Sequence, residues 1–393
     1  MARLVGYERK GAMQIHVVRD GDSLYSIGKE YGVDWQKIAR ENEINPDDIL
    51  VDGQTIVITG VSDSSKLGAV KVNGYAYPNI ADDVLDKTLP FLTFLNLFSY
   101  EAREDGSLTP IIVPKAEDEI IAKAVGAGVK PTLVLTNIGA GGNFDSDLAH
   151  AILNDPKAVN ALIDNVLAAM GAKGYVGLDV DFEFVSPQDR EAYNSFLSKA
   201  AKRMHDNGYF ISCAIPAKEA ENTTDVFSGA YDYAAIGSIV DYVTLMTYDW
   251  GHAADGAMAV APIDRVENTV KYAASQMPPS KILMGIPNYG YDWPMPASRT
   301  NPGRAIGNTA AVDMARKRNQ AIGFDEKSQS PFIEYYDENG KHREIWFEDA
   351  RSVKAKLALG AKYNLAGFSY WTVNRFWPQN WLILNSMYDV VKK

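Results

Sequence analysis

The chain has 393 residues, 46% hydrophobic and 23% charged, which is typical of a soluble globular protein with a large core and two or more domains. Its formal net charge of -11 argues against nucleic acid or an anionic membrane surface as the main partner, because both favour clustered Lys and Arg. Cys213 is the only cysteine, which excludes an intrachain disulfide and a Cys-rich metal site.

Sequence patterns also argue against a zinc site, membrane insertion and a secretory signal. The five histidines form no HxxxH or HxH pattern, so a zinc site has little support. No apolar run approaches the roughly 18–20 residues that cross a bilayer, so membrane insertion is not expected. The charged N-terminus has no hydrophobic segment after it, so no secretory signal is expected either. Met13 is a second possible start, so residues 1–12 are interpreted either as a translated extension or as an added tail.

The first predicted domain covers residues 13–58. Strand 14–18 is followed by a Gly-Asp-Ser turn that supplies an N-cap for an amphipathic helix at 24–31, then by a helix at 35–42 and a strand at 54–58. This order resembles a LysM module, and the motifs that carry the resemblance are Gly21-Asp22-Ser23-Leu24, Ile38, Asn42 and residues 50–56. The resemblance implies binding of N-acetylglucosamine chains in peptidoglycan or chitin. The alternative is a small packing domain.

Residues 59–66 are small and polar and predict a linker to a second domain, residues 67–393. There, apolar strands alternate with helices, which favours a (β/α)8 TIM barrel over an open doubly wound sheet. No Gly-x-Gly-x-x-Gly follows the first strand, which weakens a nucleotide-binding interpretation. The predicted strands are 68–77, 91–100, 132–137, 175–184, 210–216, 242–248, 281–289 and 365–371, and the predicted helices are 116–125, 158–170, 188–204, 263–276 and 348–363.

One stretch, residues 292–346, interrupts the alternation between predicted strands seven and eight. A helix at 311–321 precedes two apolar-aromatic runs, 332–336 and 343–346, which flank an Asn-Gly turn typical of a hairpin. We expect a small α+β insertion on the C-terminal rim of the barrel, where it would form a wall of a substrate cleft.

The predicted fourth strand carries three acids, Asp179, Asp181 and Glu183, alternating with apolar residues. Alternate residues of a strand share one face, so the acids would form a row. Burying neighbouring like charges raises the pKa of at least one of them, and an acid that stays protonated near neutrality can serve as a general acid. The alternatives are a solvated edge strand or oxygen ligands for Mg²⁺ or Ca²⁺.

Two further strand ends carry candidate residues. Tyr248 and Asp249 end strand six, and Trp371 ends strand eight. The C-terminal ends of barrel strands converge on one mouth, so we expect these residues to meet the acidic row. Four other tryptophans are left out because nothing fixes their orientation: Trp250, Trp293, Trp377 and Trp381.

The acidic strand, the Met-Thr-Tyr-Asp strand end and the final Trp resemble the DxxDxDxE, MxYD and last-strand Trp marks of glycoside hydrolase family 18. Two departures are visible: Val176 stands in place of the first Asp, and Thr136-Asn137-Ile138 followed by glycines replaces the SxGG mark. With the LysM-like segment, the architecture resembles the cortex-lytic N-acetylglucosaminidases of bacterial spores.

The resemblance implies a retaining mechanism in which the substrate's acetamido oxygen attacks the anomeric carbon. Glu183 would be the acid and base, Asp181 would orient the acetamido group, and Asp179 would support Asp181. Tyr248 would hydrogen-bond the acetamido carbonyl, while Asp249 and Trp371 would bind substrate; no metal or cofactor is implied.

The expected function is therefore an N-acetylglucosaminidase acting on peptidoglycan, with the spore cortex as its setting and a spore or cell-wall location after cytoplasmic synthesis. A chitinase is the second enzyme hypothesis, because the reacting sugar is the same. A non-catalytic glycan-binding protein of the spore envelope is the third, because a fold does not guarantee activity.

Overall fold

The structure, a computed structural model, describes residues 13–60, 66–111 and 114–392. The predicted extension, residues 1–12, and the central part of the predicted linker, residues 61–65, lie outside the described residues. None of the helices in the described part of the chain combines the length and the apolar character needed to cross a bilayer.

The first folded unit has the predicted order of strand, helix, helix and strand. Its elements are β1 (Met13–Val17), α1 (Leu24–Tyr31), α2 (Trp35–Glu41) and β2 (Thr55–Thr59), and β1 pairs antiparallel with β2. The predicted N-cap is confirmed, because the Ser23 side chain accepts a hydrogen bond from the backbone N–H of Ser26 in a capping box.

The remaining elements alternate along the chain. The strands are β3 (Ala69–Ala76), β4 (Phe94–Ala102), β5 (Leu108–Thr109), β6 (Lys130–Thr136), β7 (Gly177–Asp181), β8 (Phe210–Pro216), β9 (Tyr242–Met246), β10 (Ile282–Pro287), β11 (Gly290–Pro294), β12 (Arg304–Ile306), β13 (Gly323–Asp325), β14 (Ser330–Tyr336), β15 (His342–Trp346), β16 (Gly367–Trp371) and β17 (Asp389–Val390). The helices are α3 (Asp82–Thr88), α4 (Pro114–Gly126), α5 (Ser146–Asn154), α6 (Pro156–Lys173), α7 (Arg190–Asp206), α8 (Tyr233–Ile239), α9 (Ile263–Gln276), α10 (Asn308–Arg318), α11 (Ala350–Lys362) and α12 (Pro378–Met387).

Eight parallel strands close into the predicted barrel. Their order around the ring is β3, β4, β6, β7, β8, β9, β10 and β16, and β16 pairs with β3 to close it. Strands β5 and β17 pair outside the ring, with β4 and β3 respectively. The TIM-barrel prediction is confirmed, and the barrel places the C-terminal ends of its strands around one mouth.

The acidic strand is shorter than the predicted 175–184. Strand β7 ends at Asp181, so Glu183 lies in the loop beyond it, and Phe184 has a φ of 54°. The reason is a side chain: Asn137 accepts a hydrogen bond from the backbone N–H of Glu183 and donates one to its carbonyl, both at 2.9 Å. These two hydrogen bonds take the place of the backbone hydrogen bonds between strands at the point where the chain leaves the barrel.

The stretch between β10 and β16 forms a separate antiparallel sheet in the order β12, β11, β15, β14 and β13. The predicted hairpin corresponds to β14 and β15, and the Asp337 side chain accepts hydrogen bonds from the backbone in its turn. Strands β11, β12 and β13 were not predicted. β12 and β13 have three residues each, and β11 begins at Gly290, directly after the end of the predicted strand 281–289.

The first unit packs against this sheet and against α12. Val51 joins the apolar core formed by α10 and the five-stranded sheet. Gln379 of α12 donates to the carbonyl of Thr55 at 2.6 Å and accepts from the Thr55 hydroxyl at 3.1 Å. Gly53, with a φ of 81°, comes so close to the Ile322 carbonyl that a Cβ would lie 2.0 Å from its oxygen, so only glycine fits this contact.

Candidate active site

The deepest of the three acids is Asp179, which is fully buried in the barrel on β7. Its two carboxylate oxygens accept hydrogen bonds of 2.6 Å from the hydroxyls of Tyr75 on β3 and Ser212 on β8. Burial raises the pKa of Asp179, and these two hydroxyl donors oppose that rise. Hydroxyl donors on both oxygens suit a hydrogen-bonded carboxyl group better than a ligand for a cation.

Asp181 lies next along the same face and is 4% exposed. Its Oδ1 atom is buried and has no hydrogen-bond partner among the described residues. Burial, and then the negative charges of Glu183 and Asp179, hold the pKa of Asp181 well above its ordinary value. A buried polar atom without a partner is rare in native structures, so a group from a bound ligand is the natural complement to this oxygen.

Glu183 lies at the opening and is partly buried. Burial, together with the negative charge of Asp249, raises its pKa from 4.5 to about 7. A carboxyl group with such a pKa holds its proton near neutrality, as a general acid requires. The two hydrogen bonds between Asn137 and the backbone of Glu183 fix the position of that backbone.

Tyr248 follows β9 and faces the same carboxylates. Its ring packs over Gly285 of β10, where an added Cβ would lie 2.8 Å from the Tyr248 Cε1 atom. Burial and the charges of Asp181, Asp249 and Glu183 raise the pKa of Tyr248 well above its ordinary value. The phenol therefore stays protonated and can donate a hydrogen bond into the site.

Asp249 stands at the rim with a φ of 61°. Its Oδ1 atom accepts hydrogen bonds from the Tyr289 hydroxyl at 2.6 Å and the Tyr291 hydroxyl at 3.3 Å. Tyr291 belongs to β11, so the five-stranded sheet reaches the site through this contact. Neither tyrosine was predicted as a site residue.

Trp371 closes another side of the site. Its ring contacts Tyr75, Tyr77 and Phe98 edge-on, with centroid distances of 5.4, 5.8 and 5.0 Å. Tyr77 is 39% exposed, and the negative charges of Asp181 and Glu183 contribute, after burial, to a raised pKa of its hydroxyl. These aromatic side chains give the opening an apolar wall, of which only Trp371 was predicted.

Three of the four tryptophans left out of the prediction, and the position changed in the motif, do not open onto this site. Trp293, Trp377 and Trp381 are buried, so their rings cannot present a face to a ligand without rearrangement. Val176, which replaces the first Asp of the motif, precedes the N-terminal end of β7 and is 37% exposed. Cys213 is buried as predicted, and burial raises the pKa of its thiol, which suits an inert side chain.

The structure therefore brings together all six predicted site residues: Asp179, Asp181, Glu183, Tyr248, Asp249 and Trp371. A family model for glycosyl hydrolases family 18 matches residues 126–375, which is more than half of the chain. The chain belongs to glycoside hydrolase family 18. A LysM domain model matches residues 16–59, in agreement with the first folded unit.

Relatives of this family 18 hydrolase match along nearly all of its length. A cortical fragment-lytic enzyme of Bacillus anthracis is 40% identical over 433 aligned residues, which cover 97% of this chain and 100% of that protein. A cortical fragment-lytic enzyme of Bacillus subtilis strain 168 is 33% identical and covers 97% and 99%. The crystal structure of the spore cortex-lytic enzyme SleL of Bacillus cereus has a TM-score of 0.92 at 35% identity and covers 97% and 99%.

The family assignment confirms that the protein is a glycoside hydrolase. The roles of the individual site residues, and the domain boundaries at 58, 67, 292 and 346, stay predictions.

Proposed function

We propose that this hydrolase cleaves linkages of N-acetylglucosamine in the peptidoglycan of the spore cortex and retains the anomeric configuration. The observation that carries the proposal is the pair formed by Asp181, with its buried unpartnered oxygen, and Glu183, with its pKa of about 7. The names of the relatives from Bacillus, which cover almost the whole chain, support the cortex as the substrate. They also support a spore or cell-wall location.

In the first step, Glu183 donates its proton to the glycosidic oxygen as the bond to the anomeric carbon breaks. The acetamido oxygen of the same sugar attacks that carbon and forms a cyclic, positively charged intermediate. The unpartnered Oδ1 of Asp181 accepts the acetamido N–H, which turns the acetamido oxygen toward the carbon. The proton that Asp181 shares with Asp179 then lies on Asp179, and the negative charge left on Asp181 stabilises the intermediate.

In the second step, Glu183, now ionised, takes a proton from water as the water attacks the anomeric carbon. The bond between that carbon and the acetamido oxygen breaks at the same time, which restores the acetamido group. Asp179 supports Asp181 in both steps. Its hydrogen bonds to Tyr75 and Ser212 fix it beside Asp181, with which it shares a proton. The Tyr248 hydroxyl donates a hydrogen bond to the acetamido carbonyl, and Trp371 supports the sugar ring. Asp249 binds the substrate at the rim, and its negative charge contributes, after burial, to the raised pKa of Glu183.

The two other hypotheses make different predictions for the same protein. A chitinase would cleave chitin oligomers better than peptidoglycan. A non-catalytic glycan-binding protein would retain insoluble glycan without releasing reducing ends, although the raised pKa of Glu183 has no use in such a protein.

The test compares wild type, Glu183→Gln and a matched control, Glu191→Gln, at an exposed position on α7. Peptidoglycan containing muramic lactam and chitin oligomers are incubated side by side, and the products are identified by mass spectrometry. We expect wild type and Glu191→Gln to release fragments ending in N-acetylglucosamine, and Glu183→Gln to lose about 10²–10⁴-fold in kcat. Equal activity of all three proteins would remove Glu183 from its role, and preference for chitin would replace the proposed substrate.

A further inference from the structure

A second cleft, of about 450 Å³, lies between the barrel mouth and the five-stranded sheet. One wall is the start of α10, and the opposite wall is the segment after Trp371, which includes Arg375 and Phe376. Asn288 links this cleft to the site described above, because its backbone N–H donates to the Trp371 carbonyl at 2.9 Å and its amide donates to the Arg375 carbonyl at 2.8 Å. The cleft is therefore adjacent to the backbone of Trp371.

The start of α10 presents unsatisfied donors to this cleft. The N-cap residue is Gly307, which has no side chain to cap the helix. The first intrahelical bond is made by the N–H of Ala311 to the Gly307 carbonyl, so the N–H groups of the preceding turn remain free, as at any uncapped helix start. Such a helix end carries partial positive charge and favours an anion.

An arginine lies over the same helix end. An added Cβ on Gly307 would lie 3.0 Å from Cδ of Arg375 and 3.7 Å from its Nε. The Arg375 guanidinium is exposed and makes no hydrogen bond or ion pair with another residue in the described part of the chain. The acid in the cleft lining, Asp313, is already paired, because it accepts a hydrogen bond of 2.6 Å from Arg316. The cleft therefore has an uncompensated positive charge within a protein of net charge -11.

A buried amide gives an independent sign of a missing ligand. Asn308 lines the cleft and is only 3% exposed. Its Oδ1 accepts a hydrogen bond from the backbone N–H of Glu348 at 3.0 Å, while its Nδ2 has no partner among the described residues. Because the oxygen and nitrogen of an amide point apart, Nδ2 is directed away from Glu348, and a buried donor without an acceptor is destabilising until one arrives.

We propose that this cleft binds a carboxylate carried by the glycan, held by Arg375, the free N–H groups at the start of α10 and the Asn308 amide. The inference rests on the proposed function, because it names a feature that peptidoglycan has and chitin lacks. The carboxylate comes either from a lactyl group on the sugar or from a stem peptide attached to it. An arginine fork and helix N–H groups suit both sources equally.

Two variants test the cleft. Arg375→Gln removes the charge. Gly307→Asp places a carboxylate of the protein itself at the helix N-cap. The backbone there is extended (φ −74°, ψ 151°), which suits a capping residue. The new carboxylate therefore occupies the proposed anion site and stabilises α10. Arg299→Gln, an exposed arginine outside the cleft lining, is the matched control.

Binding is measured by ligand-observed NMR with N-acetylmuramic acid, with an N-acetylmuramyl dipeptide whose carboxylate lies on the peptide, and with neutral N-acetylglucosamine. We expect both variants to weaken the binding of one or both acidic ligands about tenfold relative to the binding of N-acetylglucosamine. The ligand whose binding is weakened identifies the source of the carboxylate. The same variants should raise KM for acidic peptidoglycan fragments by a similar factor more than for chitin oligomers.

Equal effects on acidic and neutral ligands, or none on either, would overturn the proposal. The binding measurement needs no turnover, so it decides the question even if wild type fails to cleave peptidoglycan, a result that would count against the proposed function instead. A melting temperature of Gly307→Asp at or above that of wild type excludes unfolding as the cause.

Discussion

The chemistry of the site depends on how one carboxyl group keeps its proton. Glu183 lies beyond the end of β7, partly buried, and shares the site with Asp249, Asp181 and Asp179. Burial disfavours ionisation of these acids, and each nearby negative charge adds to the effect. The hydroxyls on Asp179 oppose the shift there, while no group within the described residues does so on Asp181 Oδ1. The site thus keeps one proton on Glu183 and one on Asp181, which are the two positions where the proposed mechanism uses a proton.

The first prediction concerns the pH profile. Activity requires protonated Glu183, so kcat/KM should fall as pH rises through about 7. Asp249→Asn removes a negative charge that raises this pKa, while its Oδ1 can still accept from Tyr289 and Tyr291. We therefore expect the alkaline limb of the profile to move to lower pH in the variant.

The matched control is Asp255→Asn, an exposed residue of the following loop. Its profile should coincide with that of wild type. An alkaline limb that stays in place in Asp249→Asn would show that Asp249 does not set the pKa of Glu183.

At the level of elements, the strand ends explain which parts of the site could be predicted. Asp179 and Asp181 were found because their spacing of two matches a strand, and Tyr248 and Trp371 because they follow apolar strands. Tyr75 and Ser212 are single hydroxyl residues on strands distant in sequence, so no local spacing connects them with Asp179. An inward-facing tyrosine on the first barrel strand was the one available signal.

The same distinction holds for the fold. Long amphipathic helices such as α7 and α9 were predicted, but α3, α5, α8 and α12, which have 7 to 10 residues each, were not. A helix of two or three turns shows too few apolar repeats to separate it from a loop. The early end of β7 was missed for another reason, because the Asn137 side chain that ends it comes from a different strand end.

The second prediction concerns the packing of two neighbouring strands. In Gly285→Ala, the new Cβ would lie 2.5 Å from the Leu245 carbonyl oxygen and 2.8 Å from the Tyr248 ring, so β9, β10 or the ring must shift. Overpacking of this kind costs about 1–3 kcal/mol of stability. A displacement of about 1 Å at a catalytic group can cost about 10²-fold in rate.

Urea unfolding and kcat on peptidoglycan fragments measure these two effects. Gly256→Ala is the control, because nothing lies within 4 Å of its added Cβ. Full activity of Gly285→Ala at reduced stability would show that the position of Tyr248 is not critical.

At the level of the whole molecule, the LysM unit is fixed to the hydrolase rather than only tethered to it. Its Val51 is buried in the core of α10 and the five-stranded sheet. Arg316 of α10 donates to the Ile49 carbonyl at 2.9 Å and pairs with Asp48 at 3.4 Å, and Gln379 bonds Thr55. A glycan held by the LysM unit would thus keep a defined direction relative to the mouth of the barrel.

The last prediction tests this coupling with the double variant Arg316→Ala/Gln379→Ala. The substitutions remove hydrogen bonds that each contribute about 0.5–1.5 kcal/mol, and they touch none of the predicted catalytic residues. A rigidly packed LysM unit unfolds together with the barrel, so wild type should show one transition in scanning calorimetry. The double variant should show an additional transition at lower temperature, and Arg299→Ala/Gln276→Ala, at exposed positions, should behave as wild type. One transition at an unchanged temperature in the double variant would mean that the remaining contacts, such as the packing of Val51 and the hydrogen bond from the Ile322 N–H to the Asp52 carbonyl, hold the two units together. Two transitions in wild type would mean that the units are not coupled at all.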